Sequence, residues 1–103
     1  MRRGEVWWAE LPKPAGRRPV VLLSRNEAYA VRELVTVAPV TSRVRGIPSE
    51  VPLGRADGLP KACAANLDTV TTIPKGILTT RLALLAPAKL VAIDRAVRFA
   101  LGL

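Results

Sequence analysis

No apolar run in this chain travels far before a proline, a glycine or a charge stops it, and that punctuation limits the fold more than any other feature. Nine prolines and seven glycines are spread over 103 residues. Proline lacks a ladder donor and breaks helix interiors, so a chain interrupted this often is held to short strands, edges and turns. No stretch approaches the ~18 apolar residues that a membrane-spanning helix needs. Between the breaks the residues are largely Val, Leu and Thr, which suit pleated surfaces.

Read in order, Gly4 to Leu11 is a first strand carrying Val6, Trp7 and Trp8 and closed by Pro12. The adjacent tryptophans point to opposite faces, one to the core and the other toward a subunit contact or a groove. Pro12 to Arg18 holds two prolines, a glycine and three cations, the composition of an exposed basic loop. Pro19 to Ser24 is an apolar stretch of the kind found in strands buried on both faces. Asn26 is placed to cap a short helical piece from Glu27 to Arg32. Leu34 to Thr41 reads as a central strand that has to leave its ladder near Pro39, with Thr41 and Ser42 at the exit. Ser49 to Leu53, carrying Pro52 and preceded by Pro48, reads as an edge strand. Gly54 to Pro60 is a loop, Ala62 to Leu67 and Thr69 to Ile73 are further strand-like pieces, and Pro74-Lys75-Gly76 is a turn. Leu82, Leu84 and Leu85 form a last short strand before Pro87. There the period changes, because Leu90, Ile93, Val97 and Leu101 recur at helical spacing, giving an amphipathic helix that ends at Gly102. About five to seven short strands with one terminal helix predict a single α+β domain over residues 1–103, built on a small, strongly bent sheet or barrel.

Charge narrows the partner. Sixteen Lys and Arg stand against eight Asp and Glu, for a net +8, and twelve of the cations are Arg. The Arg fork pairs with phosphate oxygens, so nucleic acid is the first polyanion to expect, ahead of anionic lipid, for which no basic amphipathic face or lipid anchor is visible. The opening Met1-Arg2-Arg3-Gly4-Glu5 reaches an acid before any apolar segment, so a cytoplasmic location is expected. The one cysteine, Cys63, cannot close an internal disulfide and reads as a buried hydrophobe, and the chain has no histidine. Neither a metal nor another cofactor is expected, and the histidine-based acids and bases used near neutral pH are excluded. Only four aromatic residues are present, Trp7, Trp8, Tyr29 and Phe99, so aromatic base readout is expected to be minor.

Several ordered segments then carry a resemblance. Arg3-Gly4-Glu5-Val6-Trp7, Arg18-Pro19-Val20-Val21-Leu22-Leu23-Ser24, Val37-Ala38-Pro39-Val40-Thr41-Ser42 and Glu50-Val51-Pro52-Leu53 come first. Leu67-Asp68 with Thr72-Ile73, then Leu90, Ile93-Asp94 and Ala100-Leu101, follow. Together they resemble the MazF/PemK toxins, the ribonuclease halves of bacterial type II toxin–antitoxin pairs. The resemblance implies an SH3-like small β-barrel of the PemK/CcdB-like kind with an added C-terminal helix, acting as a homodimer. It further implies metal-independent cleavage of single-stranded RNA at short motifs by the RNA's own 2′-hydroxyl, leaving a 5′-hydroxyl and a cyclic or 3′-phosphate.

Carried over residue by residue, the Arg of the Arg-Pro motif is Arg18 and the Thr of the strand exit is Thr41. Both are expected to stabilise the phosphorane, and Asp68 matches a position assigned as a base in some members. Lys13, Arg17, Ser42, Arg43, Asn66 and Thr69 are the expected RNA contacts. The implied partner is an acidic, MazE-like antitoxin whose extended tail blocks Arg18. Plainer roles stand beside these: a solvated turn for Arg17 and Arg18, a strand-end hydroxyl for Thr41, a turn residue for Asp68. The chain departs from the family pattern at Asn66, where some members carry Arg, and at Thr69, where many carry Gln. The loop before Arg18 is also shorter and lacks a frequent Glu. Two other functions remain open: a gyrase-directed toxin acting through its helix end, whose Trp-Gly-Ile-like signature is absent from Phe99-Ala100-Leu101-Gly102-Leu103, and a non-catalytic nucleic-acid-binding module, for which the charge suffices.

Overall fold

The computed structural model describes residues 1–103. Seven strands, β1 (Glu5–Glu10), β2 (Arg17–Leu22), β3 (Leu34–Thr41), β4 (Glu50–Leu53), β5 (Cys63–Asn66), β6 (Thr71–Pro74) and β7 (Leu78–Leu84), are joined by the short helix α1 (Ala28–Val31) and followed by α2 (Pro87–Leu101). Their order is β4-β5-β3-β2-β1-β7, with β6 also paired to β3, and every pairing is antiparallel. The path has free ends at β4 and β7, so the barrel-like sheet is open. β4 is an edge strand, as expected for a segment carrying Pro52.

Adjacent residues of β2 show how the sheet is covered. Val20 belongs to one core cluster, with Ala9, Leu22, Tyr29, Val35, Val37, Ile73 and Leu78. Val21 belongs to the other, which gathers Val6, Ala38, Leu53, Leu67 and, from α2, Ile93 and Ala96. Alternation sends neighbours to opposite faces, so β2 is buried on both, and each such valine or leucine contributes roughly 1.5–3 kcal/mol. Trp7 packs against the first of these clusters. Gly4 sits where β1 meets α2, at φ +92°, and a Cβ there would fall 2.6 Å from Leu90 Cδ2. Only glycine allows both the turn and the approach.

One expectation holds and three are corrected. Leu34–Thr41 leaves its ladder near Pro39 as expected: pairing with β2 ends at Val20 opposite Pro39 and pairing with β6 at Val37, and Val40 and Thr41 pair with β5 instead. Proline falls in the gap between the β6 and β5 ladders, where a donor is not needed. Asn26 does not cap α1, whose N-cap Glu27 makes no side-chain bond; Asn26 Oδ1 instead accepts from the Arg3 N–H at 2.6 Å. The last strand begins at Leu78, earlier than its leucines suggest, because Thr79, Thr80 and Arg81 lie exposed on an edge that pairs only with β1. On α2 the core stripe is Ile93 and Ala96 with half-buried Leu90 and Val97, whereas Leu101 is 60% exposed. Pro87 opens that helix and Gly102, at φ 71°, ends it, as the sequence indicates. No helix is long and apolar enough to cross a membrane.

Candidate functional site

Where β2 and β3 run out, a cleft of about 300 Å³ opens, lined by Trp8, Arg17, Arg18, Pro19, Val40, Thr41, Ser42, Leu59, Pro60, Lys61 and Cys63. Register explains why Arg18 and Thr41 meet here. The β2–β3 pairing ends at Val20 opposite Pro39, and Arg18 and Thr41, just beyond that end on the two strands, both line the cleft. On their other sides Arg18 stands opposite Ala9 on β1 and Thr41 opposite Ala64 on β5. Residues opposite one another share a face, so two alanines flank the pair and neither is large enough to cover it.

The polar atoms are arranged unevenly. Arg18 Nε is buried and has no hydrogen-bond partner, the single buried side-chain nitrogen or oxygen left in that state. Native proteins seldom leave such a group unpaired, and each exception calls for an explanation. Thr41 Oγ1 accepts from the Arg43 N–H at 3.1 Å, which orients the side chain and leaves its hydroxyl hydrogen free to donate. Arg17 lies over Trp8, with Cζ 4.2 Å from the ring centroid, and its Nε is 3.4 Å from Glu10 Oε1. No carboxylate lines the cleft, whereas Arg17, Arg18 and Lys61 do. Burial pushes the Cys63 thiol up, with Asp57 adding to the rise and Lys61 opposing it. At neutral pH Cys63 is therefore an uncharged part of the wall. A cleft lined by three cations and no carboxylate, with an unpaired guanidinium nitrogen, is suited to an anion, although Glu10 beside Arg17 and Asp57 near Cys63 offset part of the charge.

Of the residues expected from sequence, Arg17, Arg18, Thr41 and Ser42 come together in this cleft. Lys13 lies exposed in the β1–β2 loop and Arg43 is exposed beyond β3, neither in the lining. Asn66, Asp68 and Thr69 also fall outside it and form a local unit of their own. The Asn66 side chain accepts from the Asp68 N–H at 3.0 Å, and Thr69 Oγ1 donates to the Asn66 carbonyl at 3.4 Å. The Asp68 carboxylate accepts from the buried Ser49 hydroxyl. Sequence reasoning missed Lys61 and the Leu59-Pro60 wall. The usable signal was a cation directly after a proline, and Leu59 anchors this loop by joining the core. No group of three or more His, Cys, Asp or Glu side chains comes together to hold a metal ion.

Known proteins share this architecture. Residues 2–101 match the family described as PemK-like, MazF-like toxin of type II toxin-antitoxin system. Over 99 residues the chain is 43% identical to the probable endoribonuclease MazF5 of Mycobacterium tuberculosis, covering 95% of this chain and 90% of that protein. Among solved structures, the Mycobacterium tuberculosis toxin MazF-mt6 superposes with a TM-score of 0.89 at 31% identity, covering 96% of this chain and 97% of that one. A mycobacterial endoribonuclease solved in complex with its cognate antitoxin gives 0.88 at 29% identity, over 100% of this chain and 96% of its own.

Proposed function

The chain belongs to the PemK-like, MazF-like toxins of type II toxin–antitoxin systems, and from that premise we propose that it is an endoribonuclease toxin cutting single-stranded RNA with Arg18 and Thr41. The observation that carries the catalytic assignment is the buried, partnerless Arg18 Nε in an acid-free cleft. In-line attack of the RNA 2′-hydroxyl on the adjacent phosphorus forms a cyclic phosphate and breaks the bond to the 5′-oxygen. A proton leaves the 2′-oxygen and one is taken up by the departing 5′-oxygen. The phosphorane between these steps carries added negative charge, and fixed donors aimed at it lower the barrier. Arg18 supplies charge-assisted hydrogen bonds and Thr41 a hydroxyl donor to the same phosphate. Arg17 and Ser42 flank it, and Lys61 adds a further cation.

Asp68 is the carboxylate that the family resemblance offers for the 2′ proton. Its bond from Ser49 and its place outside the cleft lining favour a supporting role in the turn after β5. The chain works as one unit over residues 1–103, in the cytoplasm, as a homodimer. It is held inactive by an acidic antitoxin whose tail occupies the Arg18 cleft. The relative solved with its cognate antitoxin supports such pairing.

The test incubates purified chain and its Arg18→Ala variant with a long unstructured RNA in excess chelator and maps the new 5′ ends. Cutting by the wild type alone, leaving 5′-hydroxyl ends, is the expected result. A folded, antitoxin-free wild type that binds RNA with a steep salt dependence and cuts none would replace this reading with a binding module. Failure to cut or bind RNA, with inhibition of gyrase, would replace it with a gyrase-directed toxin.

A further inference from the structure

One arrangement in the cleft, the stack of Arg17 on Trp8, is not needed to stabilise the phosphorane that Arg17 flanks. Trp8 stands opposite Pro19 and Arg17 opposite Glu10, so Trp8 and Arg17 are diagonal neighbours on one face of the β1–β2 hairpin, within reach for an aromatic ring and a long side chain. The ring supports the guanidinium from below, at 4.2 Å, and Glu10 holds it from the side, at 3.4 Å. The Arg17 side chain is nevertheless 52% exposed, which leaves the outer plane of the guanidinium open. Pro19, Leu59 and Pro60 supply apolar walls in the same cleft, and the next residue along β2 is Arg18. An exposed ion pair such as Arg17–Glu10 adds little to stability, so the fold itself has no need of this stack.

We propose that Arg17 and Trp8 form a seat for one unpaired base of the RNA, beside the phosphate held by Arg18 and Thr41; this rests on the ribonuclease reading above. The base lies on the outer plane of the Arg17 guanidinium, and Trp8 beneath it is a positioning residue. Every base has a π face, and guanidinium planes and aromatic rings are the surfaces on which single strands stack. A base held this way is out of its duplex, so the seat selects single-stranded RNA at the cut. The ring acts here through the arginine that lies on it, in keeping with minor direct aromatic readout.

The experiment uses the full chain, a single-stranded RNA with one cut site, and copies of that RNA made abasic at each nucleotide flanking the cut. Trp8→Ala and Arg17→Ala are each expected to raise KM about tenfold on the intact RNA, the scale of one stacked base, with kcat much less affected. Trp8→Phe restores most of the loss. Arg17→Lys does not, because an ammonium offers no plane. One abasic position reproduces the loss in the wild type and adds nothing further in either alanine variant. Equal penalties on every abasic RNA, or none on the intact one, overturn the seat. Should Trp8→Ala fail to fold, exposed Arg17→Ala carries the same comparison alone. Arg18→Ala on the same RNA reports the ribonuclease reading separately. If the wild type does not cut, binding of an RNA with 2′-deoxyribose at the intended cut, measured over the same abasic set, decides the seat by itself.

Discussion

At one end of the β1–β2 hairpin a buried carboxylate has every partner it needs, while at the other a buried guanidinium nitrogen has none. Glu5 Oε1 accepts from the Arg2 N–H at 3.0 Å and from Trp7 Nε1–H at 2.9 Å, and Oε2 faces Arg81 Nη1 at 3.4 Å. Burial by itself would raise the Glu5 pKa. The hydrogen bonds from Trp7 and Arg2, the N-terminal charge and Arg81 outweigh it and hold the carboxyl below its ordinary value. Arg18 Nε, across from Ala9, is as hidden as Glu5 yet unpaired. The difference underlies the proposed division of roles: a charge whose partners lie within the protein stabilises the fold, and the donor left unpaired is the one proposed to meet the RNA phosphate.

The most direct way to break this contrast is Arg18→Ala. Cleavage is expected to fall by roughly a hundredfold or more, while thermal melting stays level or rises, because an unpaired buried donor is removed. A marked fall in melting temperature would place Arg18 in the structural class with Glu5. Thr41→Val is isosteric and removes the second donor, so kcat should drop by about tenfold to a hundredfold, with Thr41→Ser retaining most activity. Comparable rates for Val and Ser would leave the hydroxyl without a role.

Glu5→Gln is the converse experiment, with stability as the quantity that changes. Loss of the charged acceptor should cost about 1–3 kcal/mol at neutral pH, read by urea unfolding, with kcat for the folded enzyme unchanged. Because the folded pKa is lowered from 4.5, the wild type's advantage is present above that value and fades as pH falls through the lower folded pKa. A gap between wild type and Glu5→Gln that widens on acidification would contradict the network. Asp68→Asn should have the smallest effect on cleavage, no more than severalfold, since an amide oxygen can still accept from Ser49. A loss as deep as that of Arg18→Ala, with the acid limb of the pH–rate profile abolished, would make Asp68 the base.

Much of this protein was legible locally. Pro52 made β4 an edge, the Val20-Val21 pair announced a strand covered on both sides, and Pro87 with Gly102 bracketed α2. Gaps and misreadings arose where a neighbour decided the outcome. Pro39 marked where β3 leaves the β2 ladder, but that the strand then pairs with β5 was not visible in the residues around it. Thr79 to Arg81 were left out of the last strand because an edge strand needs no apolar alternation on its open face. Leu101 fitted the helical stripe but lies past the last surface that could cover it.

The site divides in the same way. The sequence by itself determined an arginine-rich, histidine-free chain with the Arg18-Pro19 and Thr41-Ser42 segments of the PemK-like toxins, and with them the expectation of phosphate chemistry on guanidinium and hydroxyl donors. Those properties reside in single residues or in runs of a few. Only the tertiary structure decided that Arg18 and Thr41 come to one cleft where the β2–β3 ladder ends, that Pro60 and Lys61 join its lining, that Asp68 turns to Ser49, and that Arg17 lies on Trp8. Such juxtapositions come from strand register. Burial of whole faces sets that register, because slipping one residue would turn every core side chain of a strand toward water.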